Sequence, residues 1–316
     1  MTRILREADV ARVIEMDAVM AAVTAAMREL GEGTAQNEPR RRAFAPGAIL
    51  NVMFAAFPGG GFMGVKAYSV SGGSARFLVN LFALDGTLQA VIEAHEMGAF
   101  RTGAASGVAA RALAGPGPKT VALIGTGDQA RTQALALSRA LEISELRVYS
   151  RDPKRRETFA EHRAAALKVK VVAAASAEAA VRGADVVVTI TTSTTPVLDA
   201  SWVKDGALVI GAGSNFATRS ELPPDLVERA QTVVVDQLAT ARLESGDLTA
   251  AHKAGKFEWE RARELGTVLA GQWKPPATPG ITLFESHGLA LWDVAAASTV
   301  LPAALAHGLG DEIALL

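Results

Sequence analysis

Hydrophobic and polar positions divide the chain into two patterns. Residues 1–30 carry apolar residues at helical spacing, with Asp9 placed to cap a helix, and predict an amphipathic helix. A period of two follows and predicts strands at 49–54, 62–68, 76–82 and 88–92, before a helix over 98–114. The first part of the chain is therefore expected to form an antiparallel α+β region.

A different pattern begins after Gly115-Pro116-Gly117-Pro118, which interrupts the helix and marks a domain boundary. Strands and Ala-rich helices then alternate, as a doubly wound parallel sheet requires. The predicted strands are 121–124, 146–150, 169–173, 186–190, 207–210 and 232–235, and helices are predicted at 153–166 and 177–182, the latter capped by Ser176. An apolar run over 288–305 predicts a final helix, which we expect to return to the first domain.

The turn after the strand at 121–124 carries the strongest chemical signal in the second region. It reads Gly125-Thr126-Gly127-Asp128-Gln129-Ala130 and opens a helical run. This layout is typical of dinucleotide binding: Gly125 allows a tight turn, Gly127 lets the backbone approach a pyrophosphate, and Ala130 lets the helix pack on the strand. Glycine turns also join strands to helices without a nucleotide, so the flanking elements matter to the prediction.

The end of the next strand bears on the type of cofactor. An acidic residue there usually binds the ribose of NAD, whereas a small polar residue followed by arginine leaves room for the 2′-phosphate of NADP. Here the strand ends in Ser150-Arg151-Asp152, and Arg155 follows. We expect NADP(H) to be favoured, with NAD(H) possible if Asp152 serves as the ribose acceptor.

Composition excludes several classes of function. The chain of 316 residues is 49% hydrophobic, enough for two cores, and its 32 basic and 33 acidic residues leave no excess charge for nucleic acid or an anionic membrane. Cysteine is absent, which excludes disulfides, thiolate metal sites and cysteine nucleophiles, and we predict no metal site. No apolar run has the length of a signal peptide core or a membrane span, so a cytoplasmic protein is expected.

Several segments, in chain order, resemble the ornithine cyclodeaminase/mu-crystallin family. They are Gly64-Val65-Lys66, residues 98–106, the glycine turn, Gly211-Ala212-Gly213-Ser214-Asn215 with Glu221-Leu222, residues 244–248, residues 282–284 and Ser286-His287-Gly288-Leu289-Ala290. The resemblance implies a Rossmann-type doubly wound domain (117–294) inserted into an α+β substrate-binding and dimerisation domain (1–116 plus 295–316), in a homodimer. It also adds Thr102, Thr192, Ser286 and His287 to the predicted cofactor-binding residues.

Three basic residues are candidates for binding a substrate carboxylate. A buried carboxylate needs a charged partner, preferably arginine, because its desolvation is costly. The resemblance implies that Lys66, Arg101 and one arginine of the triplet 40–42 hold it, and we predict Arg41. From the residues alone, Lys66 could equally extend to solvent from a strand end, and the triplet could be a solvated run.

Asn215 and His287 distinguish between possible reactions. Cyclodeaminases of this family carry an aspartate where this chain has Asn215, and an amide has no accessible basic form to activate water. His287 lies where the family commonly has an aliphatic residue. We interpret it as a polar side chain beside the cofactor, and the alternative is that it donates a proton to the substrate.

These residues predict an NAD(P)H-dependent reductase of an imino acid, for example a cyclic ketimine of the pyrroline-2-carboxylate type, with Lys66, Arg101 and Asn215 in the catalytic site. The alternatives are an ornithine cyclodeaminase that retains NAD and an alanine-type amino acid dehydrogenase. A hypothesis of another class is an NADPH-binding protein without turnover, as in crystallins.

Overall fold

The computed structural model describes residues 1–276 and 278–315. The chain forms two compact units: unit 1 comprises Met1–Ala104 and the chain from Leu289 onward, and unit 2 is Ala105–Gly288. The domain boundaries expected from the sequence, after 116 and after 294, stay a prediction.

Unit 1 is built on a mostly antiparallel sheet. Its strands are β1 (Thr2–Leu5), β2 (Gln36–Ala45), β3 (Ala48–Phe57), β4 (Phe62–Ser71), β5 (Ser74–Ala83), β6 (Leu88–Glu93) and β15 (Asp311–Ile313), and its helices are α1 (Glu7–Val13), α2 (Met16–Glu32), α3 (His95–Leu113, which continues into unit 2) and α11 (Ala290–Ala306). The strand order is β15-β1-β6-β5-β4-β3-β2 among the described residues. Only the β1–β6 pair is parallel there.

Helix α11 covers one face of this sheet and confirms the helix expected over 288–305. Its side chains are buried on nearly every side, as expected for a helix that is apolar all round. Trp292 is fully buried and its indole N–H points to Met27 Sδ at 3.0 Å, while the backbone N–H of Leu291 donates to Asn37 Oδ1 at 3.0 Å. These contacts fix the rotation of α11 against the sheet.

Unit 2 is a doubly wound sheet, as the alternating pattern predicted. Its strands are β7 (Lys119–Ile124), β8 (Ile143–Tyr149), β9 (Val171–Ala173), β10 (Val186–Thr189), β11 (Leu208–Gly211), β12 (Ala230–Val235), β13 (Ala262–Glu264) and β14 (Ile281–Glu285). Their order over the described residues is β13-β12-β14-β11-β10-β7-β8-β9, and all pairs are parallel. Strands buried on both faces explain the continuous apolar runs in the sequence.

Helices cover both faces of this sheet. They are α4 (Asp128–Ala140), α5 (Pro153–Leu167), α6 (Ala177–Val181), α7 (Pro224–Arg229), α8 (Leu238–Glu244), α9 (Gly246–Lys253) and α10 (Leu265–Leu269). The predicted cap of α6 is confirmed, since Ser176 Oγ accepts the N–H of Ala179 at 3.0 Å. Together these elements give the α/β fold class that the sequence predicted.

Three local expectations were wrong. The first residues are not helical, because Thr2–Leu5 joins the sheet beside β6, and the following helix breaks between α1 and α2. Asp9 is not the cap but lies one turn in, where its carboxylate accepts the N–H of Arg6 at 3.0 Å. Lys66 does not end its strand, because β4 continues to Ser71.

Candidate active site

The glycine turn of unit 2 has the backbone geometry that the sequence predicted. Gly125 has φ +119°, and a Cβ there would lie 2.4 Å from the carbonyl oxygen of Ile190, so only glycine fits. Gly127 is the N-cap of α4, and a Cβ at Gly127 would meet no atom within 4 Å. The space beside Gly127 is therefore open at the N-terminal end of α4, and free N–H groups at a helix N-terminus favour a phosphate.

A cavity of about 570 Å³ lies beside this turn at the carboxyl ends of β7, β8 and β10. It brings together most of the predicted cofactor residues: Gly125, Thr126, Gly127, Ser150, Arg151, Arg155 and Thr192. A neighbouring cavity of about 300 Å³ shares Thr126, Gly127 and Arg155 and adds Asp128 and Arg131. Gln129 and Ala130 lie in the first turn of α4, with Ala130 buried against the sheet. The size and lining of these cavities fit a dinucleotide.

The turn after β8 has its polar groups already arranged by hydrogen bonds. Thr126 Oγ1 donates to Ser150 Oγ at 2.9 Å. Asp152 is the N-cap of α5, where its Oδ1 accepts the N–H of Arg155 at 3.1 Å. The carboxylate of Asp152, the alternative candidate for binding the ribose, therefore already forms a hydrogen bond within the protein. The side chain of Arg151 is exposed.

Glu221, which the sequence indicated only as part of a family motif, is a buried carboxylate that joins two loops of unit 2. Its Oε1 accepts the backbone N–H and hydroxyl of Thr191, each at 2.6 Å, and its Oε2 accepts the N–H of Gly213 at 2.8 Å. Burial raises the pKa of Glu221 to about 7, although the hydrogen bonds from Thr191 act in the opposite direction. Glu221 thus fixes the loop that carries half-buried Asn215 to the loop that carries Thr192.

A second buried cluster in unit 2 contains His287. The side chain of His287 is buried, with Nδ1 3.2 Å from Asp236 Oδ1 and Nε2 3.5 Å from Glu285 Oε2. Burial alone would lower the pKa of His287, but Asp236 and Glu285 raise it to about 10. His287 is therefore an imidazolium paired with Asp236, while burial raises the pKa of Glu285 to about 8, so that this carboxyl holds its proton at neutral pH. Next to it, Ser286 Oγ is buried without a hydrogen-bond partner within the described residues.

Unit 1 brings Lys66 and Arg101 together around a carboxylate that the sequence interpretation also missed. Lys66 lies on β4 and is only 2% exposed, and its Nζ is 2.6 Å from Asp293 Oδ1 on α11. Arg101, on α3, places Nε 3.2 Å from the same oxygen. Thr102 follows Arg101 and donates its hydroxyl to the carbonyl of Gly98 within the helix. Lys66 therefore does not extend to solvent.

Burial changes the ionisation of Lys66. Desolvation lowers its pKa to about 8, Asp293 acts to raise it, and the positive charges of Arg101 and Arg40 lower it further. The ammonium also faces aromatic rings, with Nζ 5.1 Å from the centre of Phe77 and 6.0 Å from that of Tyr68. Near neutral pH Lys66 is charged and desolvated, as the binding of a carboxylate requires.

Within the arginine triplet, Arg40 and not Arg41 is turned towards this cluster. Arg40 is 5% exposed and its guanidinium lies 5.9 Å from the ring centre of Tyr68, whereas Arg41 is exposed. The pairing of β2 with β3 shifts between Glu38 and Arg41. Such a bulge changes which residues of a strand face inwards, and here the side chain of Arg40 is the buried one. Which arginine binds a substrate stays a prediction.

One signal in the sequence could have revealed Asp293. It is the only charged residue in the apolar run 288–305, and a lone charge in a buried helix requires a partner. Asp236 had no comparable signal, and Glu221 was named only as part of a family motif, without a role. In the described part of the chain, no group of three or more potential metal-ligating side chains occurs and no helix is long and apolar enough to span a membrane.

Known proteins resemble this chain over most of its length. It is 34% identical to the Δ1-pyrroline-2-carboxylate reductase of Bacillus cereus over 71% of this chain and 69% of that protein. It is 33% identical to the alanine dehydrogenase of Archaeoglobus fulgidus over 99% and 98%. The structure of Thermococcus litoralis Δ1-pyrroline-2-carboxylate reductase in complex with NADH and L-proline superposes with a TM-score of 0.92, at 29% identity and 99% and 100% coverage.

The family resemblance expected from the motifs is confirmed by a family-level match. The model of the ornithine cyclodeaminase/mu-crystallin family matches residues 1–307. This chain belongs to the ornithine cyclodeaminase/mu-crystallin family.

Proposed function

We propose that the protein is an NAD(P)H-dependent reductase that converts an imino acid, such as the cyclic ketimine Δ1-pyrroline-2-carboxylate, to the amino acid. The observation that carries this proposal is the pair of buried cations in unit 1, Lys66 and Arg101. The two positive charges face one negative charge, that of Asp293. The excess positive charge suits a substrate carboxylate. The reductases named above support the choice of a carbon–nitrogen double bond next to that carboxylate.

In the proposed reaction, Lys66, Arg101 and Arg40 bind the carboxylate and so orient the adjacent imine carbon. Bound NAD(P)H supplies the hydride to that carbon. A proton reaches the nitrogen, and the product is the amine. The amide of Asn215 cannot act as a base, which disfavours the hydrolytic cycle of a cyclodeaminase. Arg40 takes the place that the sequence interpretation gave to Arg41.

The cofactor half of the proposal assigns the residues of the unit 2 cavity to the dinucleotide. Gly125, Gly127 and the first turn of α4 hold the diphosphate. We propose NADP(H) as the preferred form because Ser150 and the exposed Arg151 line the cavity at the end of β8, while one oxygen of Asp152 is engaged as the cap of α5. Solved relatives contain NADH or NAD+, so the preference is a property to be measured on this chain.

We also propose a homodimer formed through the uncovered face of the unit 1 sheet. Leu50, Phe54 and Leu78 are about half exposed there, on strands whose other face is buried. Exposed apolar side chains on one sheet face are typical of an interface, and a related archaeal alanine dehydrogenase is described as a dimer. A cytoplasmic location stays an expectation of the sequence.

The direct test uses two isomeric substrates. Purified protein with NADPH or NADH should consume nicotinamide absorbance with Δ1-pyrroline-2-carboxylate and produce L-proline. Δ1-pyrroline-5-carboxylate is the matched control, because its carboxylate is not attached to the imine carbon, and it should react far more slowly. Absence of turnover with every cyclic and open-chain imino acid would refute the reductase assignment.

An amino acid dehydrogenase is the second candidate, favoured by the alanine dehydrogenase that aligns over 99% of the chain. It would use the same carboxylate site in the oxidative direction. NAD(P)+-dependent oxidation of L-alanine, with release of ammonia and pyruvate and no reduction of cyclic ketimines, would favour it over the first proposal.

A further inference from the structure

Asp293 occupies the centre of the cationic cluster in unit 1. It is fully buried on α11, and its Oδ1 lies 2.6 Å from Lys66 Nζ and 3.2 Å from Arg101 Nε. Its second oxygen, Oδ2, has no hydrogen-bond partner among the described residues. One carboxylate oxygen of α11 therefore contacts two cations, Lys66 on β4 and Arg101 on α3.

The charges around Lys66 are unbalanced without this carboxylate. Burial, Arg101 and Arg40 all favour the neutral amine, and Asp293 is the neighbour that favours the ammonium, with the result that the pKa of Lys66 stays at about 8. The aromatic rings of Phe77 and Tyr68 add a weaker attraction for the charged form. Loss of Asp293 would leave three buried cationic groups next to one another, and a lysine releases its proton in that situation.

Asp293 leaves enough donors for a ligand. An ammonium has three N–H groups and a guanidinium has five. Asp293 Oδ1 accepts one N–H of Lys66 and lies next to one N–H of Arg101. The remaining N–H groups of both side chains can bind a second carboxylate.

We propose that Asp293 is a positioning residue for the reductase site, which keeps Lys66 in the ammonium form and holds Arg101 beside it, so that both can bind the substrate carboxylate. The inference rests on the proposed function. Asp293 touches neither substrate nor cofactor in this role and acts through Lys66 and Arg101. A purely structural role would require only that α11 stay packed on the sheet.

Asp293→Asn separates these two roles, because the amide has nearly the same shape and lacks the charge. The ionisation of Lys66 is followed by NMR in protein with ¹³C-labelled lysine, with its resonance assigned from Lys66→Arg. We expect the midpoint of Lys66 to fall by roughly 1–3 pH units in Asp293→Asn, the usual effect of removing a close opposite charge. The decline of kcat/KM for the ketimine on the alkaline side should move to lower pH by the same amount.

The matched control is Ser298→Ala on the same helix, where the Ser298 hydroxyl donates to the carbonyl of Ala295 in the neighbouring turn. It should leave the Lys66 midpoint and the pH profile unchanged. If Asp293→Asn does not fold, Asp293→Ser repeats the titration with space for water next to Nζ. An unchanged Lys66 midpoint in the folded variant would overturn the proposal.

Binding of L-proline, measured by calorimetry, keeps this test independent of turnover. In Asp293→Asn its affinity should fall at pH 8 and recover at a pH below the Lys66 midpoint measured in that variant, where Lys66 regains its proton. If the wild-type protein reduces no imino acid, the proposed function fails, while the Lys66 titration still decides whether Asp293 controls the ammonium. Equal loss of L-proline affinity at both pH values would show a structural role and refute the inference.

Discussion

The imidazole Nδ1 of His287 lies 3.2 Å from Oδ1 of Asp236, while Oδ2 of the same aspartate accepts the backbone N–H groups of His287 and Gly288 at 2.7 and 2.9 Å. Asp236 therefore fixes both the charge of the histidine and the path of the chain beyond β14. Because the positive charge of His287 is buried between Asp236 and Glu285, its proton contributes to the stability of unit 2.

The first prediction concerns the dependence of stability on pH. The pKa of His287 is about 10 in the folded protein and 6.5 ordinarily, so its contribution is fully present below pH 6.5 and is lost as pH rises through 10. We expect the Tm of the wild-type protein to fall between pH 7 and 10, and to fall less steeply in His287→Gln, which should also be less stable at pH 7. His162→Gln is the control, because His162 is exposed on α5. Parallel curves for all three proteins would contradict the assignment.

The second prediction concerns Glu221 and the two loops that it joins. Glu221→Gln replaces one of the two carboxylate oxygens by an amide NH2, which is a hydrogen-bond donor and cannot accept. Either the N–H of Gly213 or the donors of Thr191 then lose their acceptor. We expect a loss of about 1–3 kcal/mol in the free energy of unfolding, measured by urea denaturation, and weaker dinucleotide binding. Glu228→Gln on α7, whose carboxylate is largely exposed, should change neither property. Equal stability of the two variants would exclude the linking role of Glu221.

The third prediction uses two adjacent arginines as a matched pair. Arg40 is buried beside Tyr68, whereas Arg41 is exposed. If Arg40 contributes a charged hydrogen bond to the substrate, Arg40→Gln should raise KM for the ketimine by about ten- to a hundred-fold, which corresponds to roughly 1.5–3 kcal/mol. Arg41→Gln should change KM by about two-fold or less, as is usual for exposed charges. The reverse order would restore Arg41 as the substrate residue.

The fourth prediction concerns the choice of cofactor. If Arg151 binds the 2′-phosphate, Arg151→Ala should weaken NADPH about ten- to a hundred-fold and change NADH little, as measured by calorimetry. Ser150→Asp should reverse the preference, since it places a carboxylate where the phosphate would lie and offers NADH a ribose acceptor. A wild-type preference for NADH, or equal losses for both cofactors in Arg151→Ala, would reject this assignment.

Local sequence patterns predicted the nucleotide-binding unit well because its determinants are local. Gly125 is required by the backbone itself, Gly127 is the N-cap of the helix that follows, and the alternation of strands and helices is visible in consecutive residues. The same holds for Ser176, whose side chain caps the helix that begins at the next residue. In each case the residue and the group that it serves are close together in the chain.

The polar interior was not predictable in the same way, because its pairs are far apart in the sequence. Lys66 and Asp293 are separated by most of the chain, and periodicity does not reveal which buried charges meet. The burial of Arg40 was not predictable for a different reason: the bulge in β2 changes which arginine faces inwards, and this bulge depends on the pairing with β3 and not on the triplet. The contacts of His287 with Asp236 and Glu285 were not predicted either, and its place beside the cofactor stays a prediction.

The discontinuity of unit 1 has a consequence for biosynthesis. Strands β2 to β6 are translated before unit 2, whereas α11 is translated after the whole of unit 2. Helix α11 covers the inner face of these strands and carries Asp293, the negative charge next to Lys66. Unit 2 is contiguous in the chain, so it can fold while the ribosome is still adding residues, but the sheet of unit 1 stays uncovered until the last helix is released. If the two proposed sites are correct, a nascent chain that stops before Leu289 would acquire affinity for dinucleotide before it acquires affinity for amino acid, and its uncovered sheet would make that intermediate a substrate for chaperones.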